Sequence, residues 1–301
     1  NLKSLDTMLA KQNLAPQELG KGRNVWYCMG YILSTGKTEA VALHDCDILT
    51  YSRDLLARLV YPIANPKFNF DFCKGFYPRV SKNKLKGRVA RLLVTPLLRA
   101  LEKTIGFNEF ITFVDSFRYP LAGEFSFRRR VLKDIRIPFD WGLEIGVLSE
   151  MYRNYASNRL CQVDIANNYD HKHQEIFFED NSKGLSKMSV DIIKVIIRKL
   201  ASQGEPFSMS IFRSLKATYY REALDFVQIY KKDAIMNSFD IDVHEEETAV
   251  ELFAKNIMVA GQVFLDSPME SPNIPTWNRV DTAIPGFLKE LKAAVEQDNN
   301  S

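Results

Sequence analysis

The sequence predicts an α/β fold that passes into a helical region, and three observations predict it. Residues 1–180 alternate short apolar runs with amphipathic stretches, the texture of a sheet flanked by helices. Beyond about residue 181 the strand-like runs stop and the chain reads as nearly all helix. The apolar run Ala40-Val41-Ala42-Leu43-His44 ends in Asp45-Cys46-Asp47, which sets two carboxylates where a strand reaches solvent.

Taken in order, Val25 to Leu33 predicts a helix that leads through Ser34-Thr35-Gly36-Lys37 to the strand at 40–44. Arg53 to Tyr61 predicts a second helix with Leu55, Leu56, Leu59 and Val60 on its apolar side. Phe68 to Tyr77 reads as a strand, and Arg88 to Ile105 as a helix kinked at Pro96. Ile145 to Tyr155 is a further amphipathic helix, and Leu160 to Ala166 a strand. Ser189 is the expected N-cap of a helix burying Val190, Ile193, Ile197 and Leu200. Segments 209–237, 245–266 and 276–297 complete the helical part, a packing and oligomerisation layer with no chemical motif of its own.

Composition narrows the function classes. A net charge of +3 is too small to suggest general nucleic-acid binding. Cys28, Cys46, Cys73 and Cys161 are scattered without a CxxC pair, so they read as reduced thiols of a cytoplasmic protein. No apolar run approaches the roughly 18 residues of a spanning helix, and the N-terminus has no signal-peptide pattern and no starting Met.

Asp45-Cys46-Asp47 has two readings: a solvated turn, for which Asp is favoured, or a hard-cation site in which a divalent ion relieves the repulsion of the carboxylates. Ser34-Thr35-Gly36-Lys37-Thr38 is a decoy, because the upstream Gly30 lies one residue too far for a phosphate-binding loop. Gly20-Lys21-Gly22-Arg23 precedes a helix and reads either as an anion-binding turn or as a flexible basic loop. Lys74 to Arg91 carries Lys74, Arg79, Lys82, Lys84, Lys86, Arg88 and Arg91 with no acid, a solvated basic loop or a second anion pocket. Pro120-Leu121-Ala122-Gly123-Glu124 is a strand-ending turn or a ligand approach. Glu144, in Trp141-Gly142-Leu143-Glu144-Ile145-Gly146, is a helix N-terminal charge or a group aimed at a polar ligand. His171 and His173 stand two apart after Asp170, and one of them could complete a metal site begun by carboxylates. His44 is read as orienting Asp45, while His244 precedes an acidic helix start.

In this order the pieces resemble a GT-A type nucleotide-sugar glycosyltransferase, and specifically the glucosyl-3-phosphoglycerate synthase family. The matching run is Gly-Lys-Gly (20–22), Asp-x-Asp (45–47), Lys-Gly-Phe-Tyr (74–77), Gly-Arg-Val (87–89), Pro-Leu-Ala-Gly-Glu (120–124), Trp-Gly-Leu-Glu-Ile-Gly (141–146) and His171. The resemblance covers roughly residues 18–180 and implies a Rossmann-like catalytic core at 1–180 with a helical region at 181–301. It also implies that the first strand–helix–strand unit of the family lies outside the chain given.

Its implied activity is transfer of glucose from UDP-glucose to the 2-hydroxyl of D-3-phosphoglycerate with retention. Mannosyl transfer from GDP-mannose and a silent sugar-nucleotide-binding protein are the alternatives. The resemblance gives Asp47 and His171 a Mg²⁺ or Mn²⁺ ion, with Asp45 at the ribose or beside the metal ligands. It sets Lys21, Cys46, Leu121 and Ala122 against the nucleotide sugar, and Glu144 at the glucose hydroxyls or the acceptor. Gly87, Arg88, Val89, Ala90 and His173 would hold the acceptor. Catalysis would rest on Asp47 and Glu144, the latter being the one carboxylate to test as a nucleophile. Ala122 and His173 depart from the family pattern, standing where a Ser and a polar amide are usual. No nucleic acid and no membrane are expected as partners, and a homodimer is.

Overall fold

The computed structural model describes residues 2–16, 18–170, 184–268 and 273–299. Its sheet has four strands: β1 (Ala40–Leu43), β2 (Phe72–Phe76), β5 (Phe125–Arg128) and β6 (Leu160–Asp164), with the two-stranded hairpin β3 (Val80–Ser81) and β4 (Lys84–Leu85) set apart. The order is β1-β5-β2-β6. β5 runs antiparallel to both neighbours, and β2 and β6 are parallel. β1 is therefore an edge strand, and it is half-buried.

Period-2 alternation divides the core between the two faces of the sheet. Phe72, Phe125 and Phe127 point into the main core, shared with the helices. Cys73 faces the other way, into a smaller cluster with Tyr77, Ala122, Ile165 and Tyr169 under α3 (Arg53–Ala64). Leu55, Leu59 and Ile63 are the buried side of α3, whereas Leu56 is exposed, contrary to the sequence expectation.

The helical part shares the main core rather than forming a second one. The cluster runs from Leu5 on α1 (Leu2–Ala10) to Leu291 on the last helix. Around it lie α2 (Lys21–Thr35), α4 (Thr95–Ile105), α5 (Glu109–Asp115), α6 (Val131–Asp134) and α7 (Leu143–Asn154). α8 (Gly184–Ala201), α9 (Met209–Met236), α10 (Val243–Asp266), α11 (Trp277–Ala283) and α12 (Phe287–Asn299) follow. By length and composition α10 could cross a membrane, which the sequence reading did not anticipate, but it packs against α8 and α9 and buries Phe253 and Ile257. Trp26 stacks on Trp277 with ring centroids 4.0 Å apart, and Trp277 donates to the Trp26 carbonyl at 3.1 Å, tying α11 to α2.

Two local expectations change. Residues 88–105 do not form one kinked helix: a π-helical turn (Val89–Val94) precedes α4, with Pro96 at the start of the α part. Proline has no N–H for the Leu92 carbonyl four residues back, and the Tyr219 hydroxyl of α9 donates to that carbonyl instead, at 2.6 Å. Ser189 is not an N-cap, since α8 begins at Gly184. Ser189 is buried, donates to the Ser186 carbonyl and accepts from Asn256 Nδ2 at 2.6 Å, because α10 presents an amide at that level.

Candidate active site

A cleft of about 860 Å³ opens where β1 ends, where α2 and α7 begin, and where the π turn starts. Asp45, Cys46, Asp47, Lys21 and Glu144 line one side, with Leu121 and Trp141. Gly87, Arg88, Val89 and Ala90 line the other, with Glu245 and Glu246 at the start of α10.

Lys21 is the centre of the first wall. It stands at the first turn of α2, with its Nζ 2.7 Å from Asp45 Oδ1 and 2.8 Å from Glu144 Oε1. Burial works against its charge, but the Glu144 and Asp45 carboxylates more than offset this and hold its pKa above the ordinary lysine value. α2 reaches this position because its glycines let it lie against the 138–139 backbone. A Cβ on Gly22 would sit 1.8 Å from the Pro138 carbonyl oxygen, and one on Gly20 would sit 2.3 Å from that of Phe139. The Arg23 N–H donates to Phe139 O at 3.3 Å, and its guanidinium pairs with Asp6 at 2.5 Å. Close backbone packing therefore requires Gly20 and Gly22, and the turn is held against the 138–139 segment rather than being a flexible loop.

Asp45 has a second constraint. A Cβ on Gly123 would lie 2.5 Å from both Asp45 carboxylate oxygens, so a glycine is needed there for Asp45 to face Lys21. Beneath it, the Glu124 carboxylate is fully buried and accepts from Asp45 N (3.3 Å), Tyr77 Oη (2.6 Å) and Tyr169 Oη (2.7 Å). Burial, and then Asp45, raise the Glu124 pKa. Glu144 lies in the first turn of α7 and also pairs with Lys21, so its two sequence readings hold together. The turn before it is fixed by Asp140, whose Oδ1 accepts from Gly142 N at 2.9 Å.

Leu121 lies on the cleft, but Ala122 does not: its methyl is buried in the smaller cluster, and its carbonyl accepts from Lys74 Nζ at 2.6 Å. That corrects the expectation that Ala122 lines the donor pocket. Lys74 also leaves the presumed basic loop. It is buried in the sheet with its Nζ 5.0 Å above the Phe125 ring, and burial pulls its pKa down to about 8. Arg79 stands over the Tyr77, Tyr119 and Tyr169 rings.

On the far wall Gly87 takes φ +72°, the left-handed region a glycine favours, as the chain enters the π turn. Arg88 reaches Glu245 at 2.9 Å and Glu246 at 3.2 Å, and Arg91 reaches Glu246 at 2.7 Å. The basic run thus meets acids supplied by α10, which nothing near it in the sequence signals. His44 nitrogens are buried, its ring packs edge-on against Tyr51, and no hydrogen bond links it to Asp45 as the sequence reading had it. Burial lowers its pKa.

His171 and His173 lie outside the described residues, and among the described residues no group of three or more His, Cys, Asp or Glu side chains converges as a metal site would. Asp170, the residue before His171, is described. Its carbonyl accepts from Leu49 N at 2.8 Å and its N–H donates to Thr50 Oγ1 at 2.9 Å, a link to the loop that carries Asp47. Sequence reasoning passed over Tyr169, quoted Tyr77 and Glu124 only as parts of motifs without a role, and took Lys74 for a loop residue. The available signal was an acid flanked by Gly123 and Phe125 inside a strand pattern, where an unpaired carboxylate would be costly.

A mixed sheet whose first strand ends in Asp-x-Asp on a large cleft, beside a lysine and a helix-borne glutamate, is the arrangement that the resemblance to GT-A type glycosyltransferases implies. The particular family follows from comparison with known proteins. The chain is 46% identical over 281 residues to the glucosyl-3-phosphoglycerate synthase of Persephonella marina, covering 93% of this chain and 69% of that protein. It is 39% identical to the enzyme of the same name from Methanococcoides burtonii, covering 93% and 68%. The chain belongs to the glucosyl-3-phosphoglycerate synthase family. No protein-family model matches it. A solved Mycobacterium tuberculosis glucosyl-3-phosphoglycerate synthase, in complex with Mn²⁺, UDP-glucose and phosphoglyceric acid, aligns at 23% identity and a TM-score of 0.46. That alignment covers 64% of this chain and 58% of the other, so the chain spans less than two thirds of that structure's length.

Proposed function

We propose that this protein moves glucose from UDP-glucose to the 2-hydroxyl of D-3-phosphoglycerate with retention at the anomeric carbon. One observation carries the reading. In a chain 46% identical to an enzyme of that name, a single cleft has Asp45, Asp47 and Glu144 on one side and Gly87, Arg88 and Val89 on the other.

A Mg²⁺ or Mn²⁺ ion would be held by Asp47 and His171. The family resemblance gives the metal to Asp47, Asp45 is bonded to Lys21, and the Leu49–Asp170 hydrogen bond brings the chain entering His171 to the loop that carries Asp47. Bound there, the ion would offset the charge on the departing diphosphate. Glu144, held by Lys21, is a weakened nucleophile and better suited to accept hydrogen bonds from glucose hydroxyls. Retention then follows from attack on the same face as departure, with positioning supplying most of the rate. Gly87 to Ala90 and Arg88 hold the acceptor on the opposite side, and Arg88 trades part of its pairing with Glu245 and Glu246 for the acceptor phosphate.

We also propose that the protein is a cytoplasmic homodimer and that its product serves as a compatible solute. All four cysteines are free thiols, including Cys73 and Cys161, which are register partners on β2 and β6. Exposed Ile229, Ile235 and Met236 give α9 apolar surface for a second copy, which light scattering tests.

The decisive assay measures nucleotide release from UDP-glucose and GDP-mannose, with and without 3-phosphoglycerate. UDP release that requires 3-phosphoglycerate is expected. Equal turnover with GDP-mannose, or none with any acceptor, would sink the assignment.

A further inference from the structure

We propose that Glu124 is a positioning residue for the metal end of the cleft, joining the loop that carries Asp47 to the segment that leads into His171. This rests on the function proposed above, which gives Asp47 and His171 their role.

Glu124 is 0% exposed and, among the described residues, no ion pair accounts for it. A carboxylate in that position needs donors, because desolvation is otherwise costly. It has three, and they come from separate parts of the chain. The Asp45 N–H, two residues before Asp47, reaches Oε1 at 3.3 Å. The Tyr169 hydroxyl, two residues before His171, reaches the same oxygen at 2.7 Å. The Tyr77 hydroxyl reaches Oε2 at 2.6 Å. The Tyr77 and Tyr169 rings stack with centroids 3.6 Å apart and 11° between planes, so the hydroxyls bracket the carboxylate side by side.

The choice of acid is informative. An ionised carboxylate accepts at both oxygens, whereas a glutamine accepts at one and donates at the other. Glutamine would turn an N–H toward a hydroxyl proton or toward the Asp45 amide. An apolar residue of the same size would leave all three donors buried without acceptors. The backbone backs the arrangement: Gly75 N donates to the Glu124 carbonyl at 2.9 Å, and a Cβ on Gly75 would press 3.1 Å from that oxygen. Asp170 adds the second cross-link, through Leu49 and Thr50. Two loops far apart in sequence are therefore joined through one buried anion.

The test uses the whole chain, with Mn²⁺ in the presence of UDP as the probe, and reads binding by calorimetry rather than turnover. Groups that orient metal ligands typically change affinity about 10- to 100-fold when altered. Glu124→Gln is expected to weaken Mn²⁺ at least about tenfold while the protein still melts cooperatively. Tyr169→Phe, which deletes one oxygen, should weaken Mn²⁺ in the same direction. The double variant should weaken Mn²⁺ by less than the sum of the two single effects, since both changes act on one hydrogen-bonded network. The KM for 3-phosphoglycerate should stay within about twofold, since Gly87–Val89 are outside this network. A wild type that binds Mn²⁺ with UDP beside a Glu124→Gln variant that binds it equally well overturns this inference and leaves the proposed function intact. A wild type that binds no Mn²⁺ with UDP removes the metal reading and this inference together. If Glu124→Gln does not fold, unchanged Mn²⁺ affinity in Tyr169→Phe overturns the inference by itself.

Discussion

Lys21 Nζ lies 2.8 Å from Glu144 Oε1 and is also bonded to Asp45, so one ammonium holds two neighbouring acids that would otherwise repel. Replacing it with an apolar chain of similar length leaves both carboxylates without a cation. Lys21→Met is expected to lower kcat about 100-fold, the scale for loss of one preorganised charge. A Lys21→Met protein that folds and keeps kcat within about twofold of wild type would refute this role.

Gly123 gives Asp45 its space. Gly123→Ala places a Cβ 2.5 Å from both Asp45 oxygens, and the carboxylate must swing away from Lys21. The expected result is a protein that melts near the wild-type temperature but binds UDP-glucose about tenfold more weakly, one lost charge-assisted contact's worth. Calorimetric titration with UDP-glucose checks both the direction and the size.

Arg88 is shared between the cleft and α10, which predicts opposite signs for two variants. Arg88→Ala should raise the KM for 3-phosphoglycerate about tenfold with little change in that for UDP-glucose. Glu245→Gln removes the Arg88 partner at 2.9 Å and should lower the acceptor KM. Steady-state kinetics with each substrate varied separates the two effects.

The sequence made legible what short-range pattern encodes. The strand at 40–44 ends in an acidic pair because period-2 burial stops there, and Asp45 and Asp47 do line the cleft. Helix positions followed from apolar period, although α1, α5 and the short α6 escaped notice. What stayed hidden depends on partners distant in the chain. Lys74 lies in a run of basic residues, and only the Ala122 carbonyl, 48 residues on, explains its burial. Gly20 and Gly22 have the composition of an anion loop, yet the backbone they approach is that of Pro138 and Phe139. Ser189 has the chemistry of an N-cap, but the amide of Asn256 on another helix claims it. Ala122 sits in a motif of cleft residues, but the turn in which its N–H bonds the Tyr119 carbonyl leaves its methyl buried in the smaller cluster.

Asp140 sets a pH dependence. Burial, and then the neighbouring Asp191 carboxylate, push its pKa from 3.8 up to about 6. A carboxyl raised in the folded state binds its proton more tightly there than in the unfolded chain. Its stabilising contribution is complete below about pH 4 and is lost as pH rises through about 6. Asp140→Asn keeps the acceptor for Gly142 N but cannot ionise. The stability of the variant relative to wild type should therefore grow between pH 4 and 7, by about 1–3 kcal/mol at the scale of 1.36 kcal/mol per pKa unit. Urea melts of both proteins across that range measure it, and a gap independent of pH would contradict the argument.

Tyr219 and Pro96 give a prediction that concerns stability alone. A proline at 96 cannot donate to the Leu92 carbonyl, and the Tyr219 hydroxyl reaches that oxygen at 2.6 Å. Both groups are buried, so water cannot take over the bond. Tyr219→Phe removes only the hydroxyl and leaves a buried carbonyl without that donor, a loss of about 1–3 kcal/mol. The cleft walls are formed by other residues, so KM for both substrates should hold within about twofold while the urea midpoint falls. Pro96→Ala adds a discriminating arm. An alanine N–H can bond Leu92 O once the π turn relaxes to α, so in that background Tyr219→Phe should cost clearly less. An equal cost in both backgrounds would mean that the hydroxyl stabilises the protein by some route other than replacing the missing Pro96 donor.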